Sequence, residues 1–156
     1  AEPPTTAGPA RPRTGGALVN RSPNRLVAGV FGVVYLLVGA AGFVVTTGVD
    51  LAATDGATLV FFEVNPLHNV VHLAIGAALL ASALRSADAA TVVNTVVGAV
   101  YLLVGLAGLF LIGSGANILA LNGADNVLHM ASALLLLGVG LAGDRERAGE
   151  HVAAAR

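Results

Sequence analysis

The feature that most constrains this chain is a series of long apolar segments that are almost free of charged side chains. Residues 26–47, 66–84 and 89–124 contain no Asp, Glu, Lys or Arg. A helix rises about 1.5 Å per residue, so about 20 apolar residues cross the roughly 30 Å hydrocarbon layer of a membrane. The third segment is too long for one crossing, and the Gly- and Ser-containing stretch at 113–117 divides it. The sequence therefore predicts an all-α membrane protein with four transmembrane helices.

The predicted transmembrane domain covers residues 26–143, and its helices occupy residues 26–47, 66–84, 92–112 and 125–143. Residues 1–25 hold five of the six prolines and four of the eight Arg, which is typical of a disordered tail. The tail is not a signal peptide, because the apolar segment that follows is too long. Residues 144–156 are predicted to form a short charged tail.

The connection between the first two helices contains an apolar run, residues 59–62. Such a run is expected to lie in the membrane interface or to dip into the membrane as a short re-entrant segment.

The positions of the Arg residues predict the orientation in the membrane. They precede the first helix, lie between the second and third, or follow the fourth: Arg11, Arg13, Arg21, Arg25, Arg85, Arg145, Arg147 and Arg156. By the positive-inside rule, both termini are predicted to lie in the cytoplasm, and the loops at residues 50–65 and 113–125 outside the cell membrane.

Two parts of the sequence resemble each other strongly. Residues 32–43 recur at 98–109 with nine of 12 positions identical, and residues 64–74 match 121–131. This pattern predicts a duplicated two-helix hairpin. Because each copy crosses the membrane twice, the repeat is parallel, with a pseudo-two-fold axis along the membrane normal.

The repeat places small and polar residues on single helix faces. Helices one and three each have a face of small residues and one Tyr that is predicted to pack closely on other helices. The residues are Gly32, Tyr35, Gly39 and Gly42 in helix one, and Gly98, Tyr101, Gly105 and Gly108 in helix three. In helices two and four, Asn69 with His72 and Asn126 with His129 form polar stripes that are predicted to face the bundle interior. Because helical side chains lean toward the N-terminus, the Tyr and His side chains are expected to lean apart without direct bonding.

These motifs resemble a known family. The segment from Asn65 to His72, with its counterpart from Asp125 to His129, follows a helix with the pattern Tyr-Leu-x-x-Gly in both halves. Together they are similar to a family of small four-helix membrane proteins of actinobacteria and cyanobacteria, classed as domain of unknown function 4383. The resemblance covers about residues 25–143. It implies the fold and the membrane location, and it implies no activity.

Three histidines are candidate ligands, and the chain has no Cys to replace them. His72 and His129 hold equivalent positions, and two imidazoles on diagonal helices can hold haem b. His68 and His72 lie one helical turn apart and can chelate a metal ion, with Glu63 or Asp125 completing an outward-facing site. The interpretation favoured from sequence is that these histidines form interhelical hydrogen bonds and hold no cofactor. A role in proton handling or in a substrate pathway is a third interpretation.

The functional prediction follows from what the sequence lacks. A net charge of −1 excludes nucleic acid as a partner. No Ser, His and carboxylate set and no phosphate-binding loop is evident, so the chain is not predicted to be an enzyme. The sequence favours a non-catalytic scaffold or accessory subunit in the lipid bilayer, as a homo-oligomer or in a larger membrane complex. The alternatives are haem or metal binding at His72 and His129, and a small transporter or channel.

Overall fold

The computed structural model describes residues 22–144. The predicted tails therefore fall almost entirely outside the described residues. Along the described chain, the elements are α1 (Pro23–Val45), β1 (Ala57–Leu59), β2 (Phe62–Val64), α2 (Pro66–Arg85), α3 (Ala87–Leu111) and α4 (Gly123–Ala142). All four helices are long and apolar enough to cross a membrane. The described part of the chain is a four-helix membrane domain.

Local capping fixes where the helices begin. The Ser22 hydroxyl accepts a hydrogen bond from the Arg25 N–H, so α1 begins inside the segment assigned above to the tail. The Ser86 hydroxyl accepts from the Ala89 N–H, so α3 begins at Ala87 and is longer than predicted. Helix α4 begins with a full capping box, in which Asn122 and Asp125 satisfy each other's backbone N–H groups.

The apolar run between α1 and α2 forms an antiparallel hairpin. Strands β1 and β2 pair with Thr58 opposite Glu63. Val60 turns the chain at the tip with a φ of 64°, and Val60 and Phe61 are exposed there. The strand backbones satisfy each other's hydrogen bonds, a solution that the sequence analysis did not consider. We call the end of the bundle that carries this hairpin the hairpin end; α2 and α4 begin there.

Helix α1 packs chiefly on α2, and α3 packs chiefly on α4. Glycines allow both close approaches. A Cβ added at Gly32 would lie 2.6 Å from the Leu80 backbone nitrogen, and one added at Gly98 would lie 2.8 Å from the Leu137 backbone nitrogen. The predicted glycine faces thus lie inside the chain's own bundle. The duplication itself stays a prediction.

The interior contains fully buried apolar side chains near mid-height and polar networks toward both ends. Leu79, Leu136 and Ala133 are fully buried in the centre, whereas side chains such as Leu37 and Phe110 face outward, as lipid contact requires. At the end opposite the hairpin, the Asn94 amide donates to Asn24 Oδ1 (2.8 Å), and the Asn24 amide donates to Asp144 (2.9 Å) and to the Val139 carbonyl (3.0 Å). This network joins α1, α3 and the end of α4.

Candidate metal centre

Three imidazoles converge near the hairpin end of the bundle. Helix α2 supplies His68 and His72, one turn apart, and α4 supplies His129. Their exposed fractions are 1%, 5% and 3%. One nitrogen from each ring can be chosen so that all three lie within 4.8 Å of one another. We call these three residues the histidine cluster.

The helix starts set the depth of the cluster. Asn65 caps α2 by accepting from the His68 N–H, and Pro66 is its first residue. Asn122 caps α4 in the same way. His72 and His129 are each the seventh residue of their helix, so they lie about 9 Å below its start. His68 lies one turn nearer the hairpin end.

The rings contact one another without hydrogen bonding. The centroids of His68 and His72 are 4.4 Å apart, those of His68 and His129 are 5.8 Å apart, and those of His72 and His129 are 6.5 Å apart. Both ring nitrogens of His68 and the Nδ1 atoms of His72 and His129 are buried and make no hydrogen bond of ordinary geometry, although the His68 ring lies near the backbone of Glu63 and Leu119. A buried polar atom without a partner costs about 1–3 kcal/mol, so four such atoms in one cluster need a physical explanation.

These unpaired nitrogens bear on the interpretation favoured from sequence. Interhelical hydrogen bonding was expected to satisfy the histidines, and these four ring nitrogens make none. The outward-facing site was also expected to combine His68 with Glu63 or Asp125. In the structure, His68 lies beside His72 and His129. The Asp125 carboxylate accepts from the backbone N–H groups of Glu63 (3.1 Å) and Asn122 (3.0 Å).

Two tyrosines lie directly beneath the cluster. The Tyr35 ring lies 5.4 Å from the His72 ring, the Tyr101 ring lies 5.1 Å from the His129 ring, and the two tyrosine rings are 5.5 Å apart. The tyrosine and histidine rings are thus in contact, while the hydroxyl of Tyr35 bonds Ser132 and not a histidine. Side-chain direction shifts a ring by only a few ångströms, and the glycines bring α1 and α3 close enough for ring contact.

The tyrosine hydroxyls have different surroundings. The Tyr35 hydroxyl donates to Ser132 Oγ at 3.0 Å, whereas the buried Tyr101 hydroxyl has no partner. The sequence analysis did not single out Ser132. The residue of α2 that aligns with it is Ile75, so the repeat gave no signal for it.

The two asparagines of the polar stripes hold helix pairs together. The Asn69 amide donates to Thr46 Oγ1 at 3.1 Å, and its oxygen fills the space in which a Cβ on Gly42 would lie. The Asn126 oxygen fills the corresponding space at Gly108. Asn69 therefore joins α2 to α1, and Asn126 joins α4 to α3.

The loops at the hairpin end cover the cluster. Asn65 is fully buried and donates to the carbonyls of Ala53 and Ile118, both at 2.8 Å. It thereby joins the α1–α2 connection to the α3–α4 connection. The Asn122 amide donates to the Phe61 carbonyl at 2.9 Å, which fixes the hairpin over the start of α4. Water is therefore excluded from the histidines on this side.

A cavity of about 220 Å³ borders the cluster between α1 and α4. His72 and His129 line it together with Tyr35 and Ser132, and the rest of the lining is mainly apolar. Imidazole is a good ligand for Zn, Cu, Fe and Ni ions. Three imidazoles beside a cavity have the composition of a zinc site with three protein ligands and one open position.

A family model described as "Domain of unknown function (DUF4383)" matches residues 25–142. The match covers most of the chain, so the chain belongs to this family. No curated protein and no solved structure matches the chain.

Proposed function

We propose that this membrane protein binds one transition-metal ion between His68, His72 and His129. The observation that carries the proposal is the convergence of three buried imidazoles, with four ring nitrogens unpaired. Coordination would give these nitrogens the partner that they lack. We assign ion binding, and no catalysed reaction, to the centre.

The separation of the nitrogens is compatible with an ion after a small closure. Metal–nitrogen bonds of about 2.0–2.1 Å in tetrahedral geometry hold two nitrogens roughly 3.3 Å apart. The chosen nitrogens lie within 4.8 Å. The nitrogens must therefore approach one another by up to about 1.5 Å, which rotations about the side-chain torsions can supply.

The third imidazole favours an ion over haem. A haem held by His72 and His129 needs free space between and around their rings for the macrocycle. The His68 ring lies 4.4 Å from one of these rings and 5.8 Å from the other, so it occupies part of that space. The same position makes His68 a third ligand for a small ion.

One support for the scaffold interpretation is weakened by the packing of the glycines. Glycine faces could serve a partner, but Gly32, Gly39 and Gly42 lie against α2 of the same chain. The matching glycines of α3 lie against α4. We therefore favour ion binding over a scaffold or accessory role.

We further propose that the hairpin end lies outside the cell membrane and that both termini are cytoplasmic. The support is that all eight Arg residues fall on the side of the membrane opposite the hairpin end in the predicted topology. The chain has no Cys, so a single Asp55→Cys variant is a clean reporter. A membrane-impermeant thiol reagent is expected to label it from outside intact cells; labelling only after the cells are opened would contradict this orientation.

Metal binding is tested on full-length protein in detergent. The protein is stripped with a chelator, loaded separately with Zn²⁺, Cu²⁺ and Co²⁺, and analysed for bound metal. We expect one ion per chain for at least one of these metals. We also expect thermal stabilisation that rises with metal concentration, because a ligand that binds only the folded state stabilises it.

Matched variants locate the site. His68→Gln, His72→Gln and His129→Gln keep hydrogen-bonding capacity but remove the imidazole, and each is expected to lower the affinity at least about tenfold. The fourth histidine, His151, lies outside the described residues, and His151→Gln serves as the control. Unchanged metal binding in the three cluster variants, or absence of binding in the folded wild-type protein, would refute the proposal.

A further inference from the structure

The cavity beside the histidine cluster lies between α1 and α4, which pack only loosely on each other. Helices α1 and α4 contact each other much less than α1 contacts α2. The α1 side of the cavity is lined by Val30, Val34 and Val38 on successive turns. Val30 and Val34 are about half exposed on the outer surface, and Leu128 of α4 is somewhat less exposed. The gap between α1 and α4 is therefore the mouth of the cavity.

The position of this mouth determines what can enter it. Val34 is equally far from Pro23 and Val45, the two ends of α1. At about 1.5 Å per residue, this places it roughly 16 Å from either end of the helix, near the middle of the hydrocarbon layer. The loops joined by Asn65 cover the cluster at the hairpin end. A molecule using this mouth therefore comes from the lipid.

The lining of the cavity determines the chemistry of the molecule. Its mouth carries aliphatic side chains. Its polar lining residues are His72, His129, Tyr35, Ser132 and Asp125, and the Asp125 carboxylate already accepts from two backbone N–H groups. Apolar walls with a few convergent polar groups are typical of sites for small ligands. An apolar molecule with one oxygen donor matches both the aliphatic mouth and the polar residues of the cavity. Its hydrocarbon chain would contact the valines, and its oxygen would reach the polar side chains.

We infer that this cavity admits a lipid-soluble molecule with a single oxygen donor, such as a long-chain alcohol, from the bilayer to the open side of the histidine cluster. The inference rests on the proposed metal site, since the oxygen supplies the ligand that three imidazoles leave missing. The metal and the cavity together form a ligand-binding site that is reached from within the membrane.

The test uses the visible spectrum of bound Co²⁺, which changes with the number and type of its ligands. n-Decanol is titrated into the Co²⁺-loaded protein in detergent, and n-decane is the control with the same chain and no oxygen. We expect decanol to change the spectrum saturably and decane to leave it unchanged.

A pair of neighbouring substitutions localises the effect. Val34→Phe fills the mouth and is expected to weaken the decanol response about tenfold while Co²⁺ stays bound. Val33→Phe is the control, because Val33 is equally exposed (46% against 47%) and does not line this cavity. Equal responses in the two variants would overturn the inference.

The outcomes separate the two proposals. Stoichiometric Co²⁺ with a spectrum that decanol does not alter leaves the metal centre in place and refutes the access route. A folded wild-type protein that binds none of the three metals refutes the metal centre itself.

Discussion

The close approach of α1 to α2 predicts that one methyl group at Gly32 destabilises the fold. A Cβ there would lie 2.6 Å from the Leu80 backbone nitrogen, 2.9 Å from Leu80 Cβ and 3.0 Å from the Gly76 carbonyl oxygen. Two of these atoms belong to the backbone of α2 and have no rotamer by which to move away. Gly32→Ala therefore requires the helices to separate.

The size of the effect follows from the distance that must be gained. Non-bonded atoms are in ordinary contact at about 3.5–4.0 Å, so the helices must move apart by roughly 1 Å. Overpacking of this kind costs about 1–3 kcal/mol. The van der Waals contacts that are lost where the helices separate add to this cost. Replacing Gly by Ala within a helix returns about 1 kcal/mol. We expect net destabilisation of about 1–2 kcal/mol.

The control lies on the same helix. A Cβ at Gly29 would lie 3.8 Å from Ala83 Cβ, which is ordinary contact, so Gly29→Ala is expected to be neutral or to stabilise by up to about 1 kcal/mol. Both variants are unfolded reversibly in mixed detergent and SDS micelles, with helix content followed by circular dichroism. If Gly32→Ala were as stable as Gly29→Ala, the close packing deduced here would be refuted.

Three further predictions concern the polar parts of the bundle. Asn24→Ala removes the hydrogen bonds from the Asn24 amide to Asp144 and to the Val139 carbonyl, and it leaves the Asn94 amide with fewer acceptors. In the same unfolding assay it is expected to cost about 1–3 kcal/mol. Asp125→Ala removes the carboxylate that completes the α4 capping box and accepts from the Glu63 N–H. We expect a loss of about 1–2 kcal/mol and faster amide hydrogen exchange in the hairpin; unchanged exchange would argue against this contact. The metal affinity of the histidine cluster is expected to fall as the pH is lowered from about 8 to about 5, because protons compete with the ion for the imidazole nitrogens. Equilibrium dialysis measures this affinity, and an affinity that rises on acidification would contradict coordination by imidazole.

The sequence predicted much of the fold because the membrane simplifies the problem. Charge-free segments of sufficient length leave few alternatives to spanning helices. Caps such as Asn65 and Asn122 are local signals and could be recognised. The hairpin could not be predicted in the same way, because its stability depends on a distant acceptor, Asp125, and on the loop joined to it by Asn65.

The candidate site was only partly predictable for a related reason. Helical spacing places His68 one turn from His72, and the repeat places His129 level with His72. Spacing alone does not show whether His68 points toward solvent or toward α4. That depends on the loops that close over the start of α2, which are ordered by long-range hydrogen bonds. The cavity beside Ser132 depends on how loosely α1 meets α4, which no single segment encodes.

The number of ligands in the histidine cluster follows from one difference between the two aligned halves of the chain. A bundle with two-fold symmetry has equivalent side chains in pairs, so it would offer two or four ligands. Here position 68 is His in α2, whereas the aligned position in α4 is Asp125, whose carboxylate binds backbone N–H groups instead. The odd count of three imidazoles therefore comes from a difference at a single aligned position. In the proposed metal centre, that position would determine whether the coordination shell is closed by the protein or left open to another molecule.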